Sequence, residues 1–245
     1  MYSNLDENKF KKLLTFYSVF TFLYFCMLIF ILITTNFIYS AGSFKFSIVV
    51  LLIAGIELVK ISCGDKYIKS SNKPNVSKRY LENSFISLVF NQKKFKDFLR
   101  NAVVLFISLS IYFIVAILYG AEVFSKYEET FMFSLILTTL TIYPPCITLS
   151  HNSVWALILG SKPHNKLEEL HYQNIYLTVL GAWLGAFVIP LDWDRPWQIW
   201  PIPCSFGAII GYTFSHMIMF LKLKCEILKS YKIMRGEGVY YLNAT

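Results

Sequence analysis

The chain has little charge for its length. Only 16% of its 245 residues are charged and 56% are hydrophobic, whereas soluble domains carry about 25% charged residues. Several apolar runs approach or exceed the roughly 20 residues that cross a bilayer. We therefore expect an integral membrane protein. The net charge of +8 could suggest a nucleic-acid partner. In a membrane protein such an excess more often marks cytoplasmic loops, so no nucleic acid is expected to bind.

Cysteine pairs and the common catalytic motifs are also missing. The five cysteines are an odd number and contain no C-x-x-C pair, so neither a disulfide framework nor a zinc site is predicted. We interpret them as small buried apolar residues. The sequence has no G-x-S-x-G elbow, P-loop or dinucleotide fingerprint. We expect no catalytic residue, no metal and no cofactor.

Hydropathy predicts an all-α polytopic membrane protein with about six transmembrane helices and one integral membrane domain over 1–245. A flexible basic cytoplasmic loop is expected over 64–96. The expected spans are 13–38, 44–62, 101–121, 131–150, 174–191 and 199–221.

Two ionisable residues, Glu57 and Lys60, fall in the second predicted span. Their i,i+3 spacing allows them to pair on one helix face. Because they lie near the basic end of the span, snorkelling to the interface is the favoured interpretation. A buried relay role for Glu57 is the alternative.

Lysine and arginine are distributed unequally among the connections. Three lie before the first span, ten from Lys60 to Arg100, two between the fourth and fifth spans, and five after the sixth. The alternate connections hold only Lys45, Lys126 and Arg195. The positive-inside rule therefore predicts that both termini are cytoplasmic and that the turn containing Arg195 faces the other side. The connections on that other side are too short to form a folded domain.

The last predicted hairpin carries two G-x-x-x-G pairs, Gly181 with Gly185 and Gly207 with Gly211. At 1.5 Å per residue, Gly185 and Gly207 both lie roughly 8 Å from the turn, and the other two glycines match at about 14 Å. The pairs are therefore at equal depth on adjacent antiparallel helices. We expect close helix packing there, although a general glycine richness of membrane helices is an alternative.

The turn of this hairpin concentrates charge, proline and tryptophan. The favoured interpretation is a tight turn with an internal Asp–Arg pair and interfacial tryptophans, which is compatible with docking of a partner. A metal bound by Asp192 and Asp194 is a weaker alternative, because two oxygen ligands fall short of the six or so that a hard cation takes. The residues expected to contact a partner or lipid are Asp192, Trp193, Asp194, Arg195, Pro196, Trp197 and Trp200.

A third group of polar residues precedes the fifth span. His164, Glu168 and His171 have a spacing that could place them on one helix face, and Asn165 with Glu168 forms a plausible capping box. Three ligands on one face could bind zinc, but a solvated amphipathic turn is favoured. His216 lies near a helix end and has no evident partner.

The stretch 181–211 resembles the signature of the PIG-F family, above all in Pro-Leu-Asp-Trp-Asp-Arg-Pro-Trp-Gln at 190–198. The resemblance covers the order of elements from about residue 72 to residue 215. Further segments that carry it are 73–79, 118–121, 129–133 and 136–139.

The resemblance implies a non-catalytic stabilising membrane subunit of GPI ethanolamine-phosphate transferase complexes. Such a subunit lies in the endoplasmic reticulum membrane and supports the addition of ethanolamine phosphate to mannose of the GPI-anchor precursor. The metal-dependent chemistry is then expected in a large lumenal domain of the partner chain. Two alternatives stay open: a membrane lipid-processing enzyme that uses Asp192 and Asp194 with a metal, and a small lipid transporter.

Overall fold

Long apolar runs with few internal prolines produce long helices. The computed structural model describes residues 2–70, 92–122 and 124–234, with side chains over 10–60, 96–122 and 124–229. The described part of the chain is helical and contains no strand. Its helices are α1 Tyr2–Thr34, α2 Ser47–Ser70, α3 Gln92–Leu118, α4 Tyr127–Thr141, α5 Tyr143–Thr148, α6 His151–Ile158, α7 Lys166–Ala186 and α8 Ile202–Met234, with short 3₁₀ helices at Phe37–Ser40, Phe44–Phe46 and Pro196–Gln198.

Prolines mark the main breaks between helices. Pro144 and Pro145 have no backbone N–H group, so α4 ends shortly before them and α5 starts as a separate helix. Pro190 follows α7, and Pro201 precedes α8 after a cis peptide bond. Between these two prolines the chain makes a turn over 190–198, which we call the tryptophan turn.

Four helical segments are long and apolar enough to cross a membrane: Phe10–Thr34, Lys96–Leu118, Tyr127–Thr148 and Ile202–Lys229. They identify the chain as a membrane protein and correspond to the first, third, fourth and sixth predicted spans. Helices α2 and α7 overlap the second and fifth predicted spans, but in the described part of the chain they are not among these four segments. The predicted loop over 64–96 lies mostly outside the described residues. Its ends belong to α2 and α3, so they are helical and not part of a loop.

Helices α7 and α8 form the most extensive helix pair, and α1 packs along α8. The main apolar core lies where α1, α2, α4 and α8 meet, around Phe25, Met132, Ile209 and Tyr212. A smaller apolar cluster of Leu14, Leu170, Met219 and Leu223 joins α1, α7 and α8 at the end of the molecule opposite the tryptophan turn.

The cysteines divide between core and surface. Cys146 and Cys204 are buried, as the sequence indicates for small apolar residues. Cys26 and Cys225 are exposed, so that interpretation is wrong for these two. All four are free thiols. The side chain of Cys63 lies outside the described residues.

Candidate functional site

The backbones of α7 and α8 meet at the four hairpin glycines. A Cβ atom added to Gly181 would lie 2.2 Å from the carbonyl oxygen of Gly207, and one added to Gly207 would lie 2.2 Å from the carbonyl oxygen of Gly181. A Cβ on Gly185 would lie 2.2 Å from the carbonyl oxygen of Pro203, and one on Gly211 2.1 Å from that of Leu177. Real Cβ contacts are never this short, so the observed helix separation requires glycine at all four positions.

The tryptophan turn is held from the inside by one amide side chain. Gln198 is buried, and its Nε2 donates to the carbonyl oxygens of Val188 and Leu191, both at 2.8 Å. Its Oε1 accepts from the backbone N–H of Arg195 at 2.9 Å. The side chain therefore replaces three hydrogen bonds that the irregular backbone could not make within a helix. We did not predict this role, because an isolated glutamine carries no motif. The sequence feature that could have indicated it is the position of Gln198 three residues after Arg195, which is the spacing of a capping box.

The charged groups of the turn point outward. Asp192, Asp194 and Arg195 are exposed, and Trp193 is 54% exposed with its ring 5.9 Å from that of Trp197. The predicted Asp–Arg pair is wrong, because no ion pair joins Arg195 to either aspartate in the described structure. The turn is thus fixed by Gln198, while its charged side chains are left without a partner in the described chain.

Trp200, which follows the tryptophan turn and precedes α8, packs against α4. The indole Nε1 of Trp200 donates to Thr130 Oγ1 at 3.3 Å, and its ring packs edge-on against Phe133 at 5.0 Å. Gly42, between the first two 3₁₀ helices, approaches the same place: a Cβ there would lie 2.8 Å from Pro201 Cδ. The turn is therefore fixed to the helical bundle on one side and open on the other.

We expect replacement of Gln198 by methionine to loosen the turn. Methionine has a similar length but cannot make the three hydrogen bonds, which leaves part-buried backbone groups unpaired at a cost near the lower end of roughly 1–3 kcal/mol. Hydrogen exchange over 188–199 should become faster, while exchange in α1 stays unchanged. If exchange across the turn is the same in both proteins, Gln198 does not hold it.

A buried ionic network lies deeper in the bundle. Glu57 is 2% exposed, and its Oε2 pairs with Lys60 Nζ at 2.6 Å. Its Oε1 accepts from the phenols of Tyr24 at 3.2 Å and Tyr212 at 3.3 Å. Lys60 also donates to Thr21 Oγ1 at 2.9 Å. We call these five residues the Glu57 network; it joins α1, α2 and α8. The prediction that Glu57 snorkels to the interface is wrong, because the carboxylate lies inside the bundle.

Further polar side chains continue from this network toward α7. His216 is 1% exposed, stacks edge-on with Tyr212 at 4.8 Å, and shares a hydrogen bond with Asn174 at 3.3 Å. The hydroxyl of Ser215 also donates a hydrogen bond, to the side-chain oxygen of Asn174. His216 therefore has a partner, contrary to the sequence prediction. These side chains therefore add hydrogen bonds between α7 and α8. They lie farther from the tryptophan turn than the four glycines do.

The favoured interpretation of His164, Glu168 and His171 as a solvated turn is wrong, because Glu168 and His171 are buried and only His164 is exposed. Asn165 caps α7 by accepting from the backbone N–H of Glu168 at 2.8 Å, as predicted. Glu168 in turn accepts from the backbone N–H of His164. His171 is buried and shares a 2.7 Å hydrogen bond with Thr148. Neither this group nor Asp192 with Asp194 belongs to a cluster of three or more metal-ligating side chains in the described residues.

Ion pairs tie the helices together at the end opposite the tryptophan turn. Lys166 on α7 pairs with Glu226 on α8 at 2.6 Å, and Lys11 on α1 approaches the same carboxylate at 3.7 Å. Lys222 and Glu169 form a further α7–α8 pair at 3.4 Å. The hydrogen bond to Glu226 raises the pKa of the Lys166 ammonium. These pairs hold the ends of α1, α7 and α8 together.

Together these features define a helical membrane protein with a tightly packed α7–α8 hairpin, a buried ionic network beside an apolar core, and an outward-facing charged turn. Such a design suits an accessory membrane subunit. The chain belongs to the GPI biosynthesis protein family Pig-F, whose family model matches residues 1–220.

Individual relatives point to the same pathway. The chain is 36% identical over 146 residues to the GPI ethanolamine phosphate transferase, stabilizing subunit, of Mus musculus, covering 58% of this chain and 62% of that one. It is 36% identical over 125 residues to the protein of the same name from Homo sapiens, covering 49% and 56%. It is 39% identical over 111 residues to the glycosylphosphatidylinositol anchor biosynthesis protein 11 of Yarrowia lipolytica, covering 43% and 48%. These matches span about half of each relative's length. No solved structure matches the chain.

Proposed function

We propose that the chain is a non-catalytic stabilising subunit of a GPI ethanolamine phosphate transferase in the endoplasmic reticulum membrane. In this role it supports the transfer of ethanolamine phosphate to mannose of the GPI-anchor precursor, while a partner chain with a large lumenal domain carries the chemistry. Membership of the Pig-F family supports the pathway, and the names of the mouse and human relatives support the stabilising role.

The observation that carries the partner interaction is the tryptophan turn. Gln198 fixes its backbone, so the turn loses little conformational entropy on binding. Asp192, Asp194 and Arg195 have no ion-pair partner in the described chain, and Trp193 supplies an exposed aromatic surface. Tryptophan and arginine are the residue types that dominate binding hot spots. We propose that this turn contacts the partner, or lipid beside it, near the lumenal headgroup plane.

The four glycines have a separate role in this proposal. They bring α7 and α8 into backbone contact and so set the direction in which the tryptophan turn is presented. We further propose that both termini are cytoplasmic and that α2 and α7 complete a set of six spans, with the tryptophan turn on the lumenal side. The split of lysine and arginine between alternate connections supports this orientation.

Affinity purification of the tagged chain in mild detergent, followed by mass spectrometry, tests the proposed partner. We expect a multispan protein with a large lumenal domain to co-purify in stoichiometric amount. Purification of the chain alone as a single monodisperse species would contradict the subunit role.

Neutralising the turn should then release the partner. We expect the affinity of the triple variant Asp192→Asn, Asp194→Asn, Arg195→Gln for the transferase to fall roughly thirtyfold or more, so less transferase is retained. Loss of one side of a buried charge pair at an interface costs about 2–5 kcal/mol, and about 1.4 kcal/mol is a factor of ten. The matched control is Glu122→Gln, which removes an exposed charge from another connection. Equal retention by the triple variant and the control would show that the turn is not the contact.

A further inference from the structure

Helix α7 carries a row of exposed, mostly aromatic side chains along the face turned away from α8. Each is between 40% and 62% exposed, and they recur at i, i+4, i+7, i+11 and i+15, which is the spacing of one helix face. Gly181 and Gly185, which contact α8, each follow one of them by two positions, or about 200° around the helix. We call this row the α7 stripe; it consists of Tyr172, Tyr176, Val179, Trp183 and Phe187.

The composition of the α7 stripe differs from that of a helix that faces lipid. Helix α3 is one of the four segments apolar enough to cross a membrane, whereas α7 is not among them in the described part of the chain. The large exposed side chains of α3 from Val103 to Leu118 are aliphatic or phenylalanine, and the hydroxyl of Ser110 donates to the carbonyl oxygen of Phe106 within the helix. Three of the five stripe residues are instead tyrosine or tryptophan, the types enriched at protein interfaces.

One phenol of the stripe is exposed at the depth of the lipid tails. Tyr176 is 62% exposed and has no hydrogen-bond partner in the described residues. It lies ten residues before Ala186, the last residue of α7, which is roughly 15 Å along the helix and half the thickness of a 30 Å hydrocarbon core. A polar group without a partner is unfavourable there, and polar side chains form hydrogen bonds between packed membrane helices. Tyr176 is therefore suited to pair with a second helix, which lipid tails cannot replace.

The stripe leads into the tryptophan turn, where the exposed charges lie. The rings of Trp183 and Phe187 pack edge to face at 4.7 Å, and the turn begins three residues later. Asp192, Asp194 and Arg195 are exposed and form no ion pair within the described chain. Together they carry a net charge of about −1, which favours a cation on whatever lies against this end of α7.

We propose that the α7 stripe is the docking surface for one transmembrane helix of the transferase, and that this helix carries a lysine or arginine where it leaves the membrane beside the tryptophan turn. The inference rests on the proposed function and names the part of the partner that binds within the membrane. Trp183 and Phe187 give the apolar contact, and the phenol of Tyr176 donates a hydrogen bond to the docked helix.

Photocrosslinking of the full-length tagged chain, co-expressed with the transferase that it purifies with, tests this surface. The photoreactive residue p-benzoylphenylalanine replaces Trp183 on the stripe or, as control, Phe106 on α3, which is 71% exposed. After irradiation in membranes we expect an adduct with the transferase from position 183 and none above background from position 106. The crosslinked peptide should belong to a transmembrane helix with a lysine or arginine at its lumenal end. An adduct with a second copy of the chain, with lipid alone or with the lumenal domain would overturn the proposal.

A pair of valines separates docking from folding. Val179 on the stripe and Val103 on α3 are 40% and 50% exposed, so tryptophan fits at either position without disturbing the chain itself. Val179→Trp should retain roughly tenfold less transferase than Val103→Trp, because the added ring occupies the space of the docked helix. The apparent melting temperatures of the two isolated variants should equal that of the native chain. Equal retention of transferase by both variants would contradict docking on this face.

Removal of a single hydroxyl tests the role of Tyr176. Tyr176→Phe should retain roughly fivefold less transferase, the size of one lost hydrogen bond. Tyr119→Phe makes the same change at a 78% exposed phenol beyond the end of α3 and should bind normally. Retention by Tyr176→Phe equal to that of Tyr119→Phe would remove this hydrogen bond from the proposal.

The failure of this proposal can be told apart from the failure of the proposed function. Purification of the native chain without any transferase would reject both. Normal co-purification of the transferase by the native chain and by Val179→Trp, with no adduct from position 183, would reject the α7 stripe alone and leave the subunit role standing.

Discussion

Replacement of Glu57 by glutamine should destabilise the bundle by roughly 3–5 kcal/mol, the cost of leaving one charge of a buried pair uncompensated. Glutamine keeps an oxygen acceptor for the phenols of Tyr24 and Tyr212, but it leaves the Lys60 ammonium, which is 10% exposed, without its carboxylate. The measurement is the apparent melting temperature or the unfolding free energy in mild detergent.

A second variant shows whether the loss comes from the unpaired lysine. In Glu57→Gln, Lys60→Met the uncompensated charge is gone, so most of the lost stability should return, because buried pairs replaced by apolar residues often cost little. Glu122→Gln serves as the control, since it removes one member of an exposed i,i+4 pair with Lys126 and should leave stability unchanged. A single Glu57→Gln variant as stable as the native chain would show that the network contributes no net stability.

The Glu57 network shows what the sequence could predict and where tertiary structure was needed. The i,i+3 spacing of Glu57 and Lys60 indicated their ion pair, and the pair forms. Its burial could not be predicted, because distance from the end of a span gives depth but not the direction a helix face points. That direction depends on Tyr24 of α1 and Tyr212 of α8, which lie 33 and 155 residues away from Glu57.

The tryptophan turn likewise has features that the sequence predicts and features that it does not. Its position between two helices was predicted, but the predicted pairing of its aspartates with Arg195 does not form in the described chain, and all three charged side chains are exposed. The side chain that holds it, Gln198, bonds to main-chain carbonyl oxygens of Val188 and Leu191, and a main-chain group can belong to any residue type. Sequence patterns therefore contain little information about such a contact.

The hairpin glycines give the second large expected effect. Gly185→Leu should separate α7 from α8, because even the first carbon of the new side chain would lie 2.2 Å from the carbonyl oxygen of Pro203. That obstacle is backbone and cannot rotate away as a flexible side chain could. Overpacking of a core costs typically about 1–3 kcal/mol and occasionally more, and we expect the upper end here. The melting temperature in mild detergent should fall accordingly.

The chain offers a matched control for this substitution in Gly55 of α2. A Cβ atom there has no atom within 4 Å, and the residue is exposed, so Gly55→Leu makes the same chemical change inside a helix without a collision. The control should be neutral or slightly stabilising, because leucine is a better helix former than glycine by roughly 1 kcal/mol. A fall in stability common to both variants would point to a general effect of leucine on the purified protein and not to the contact.

The same two variants connect the packing of the hairpin to the proposed role. Because α7 and α8 set the position of the tryptophan turn, separating them should weaken partner binding even though no turn residue has changed. We expect Gly185→Leu to co-purify with less transferase than Gly55→Leu at equal amounts of the tagged chain. If Gly185→Leu is destabilised but binds the partner normally, the glycine contact serves folding alone and the turn does not need the hairpin geometry. If it is neither destabilised nor impaired in binding, α7 and α8 do not depend on close backbone contact in the membrane.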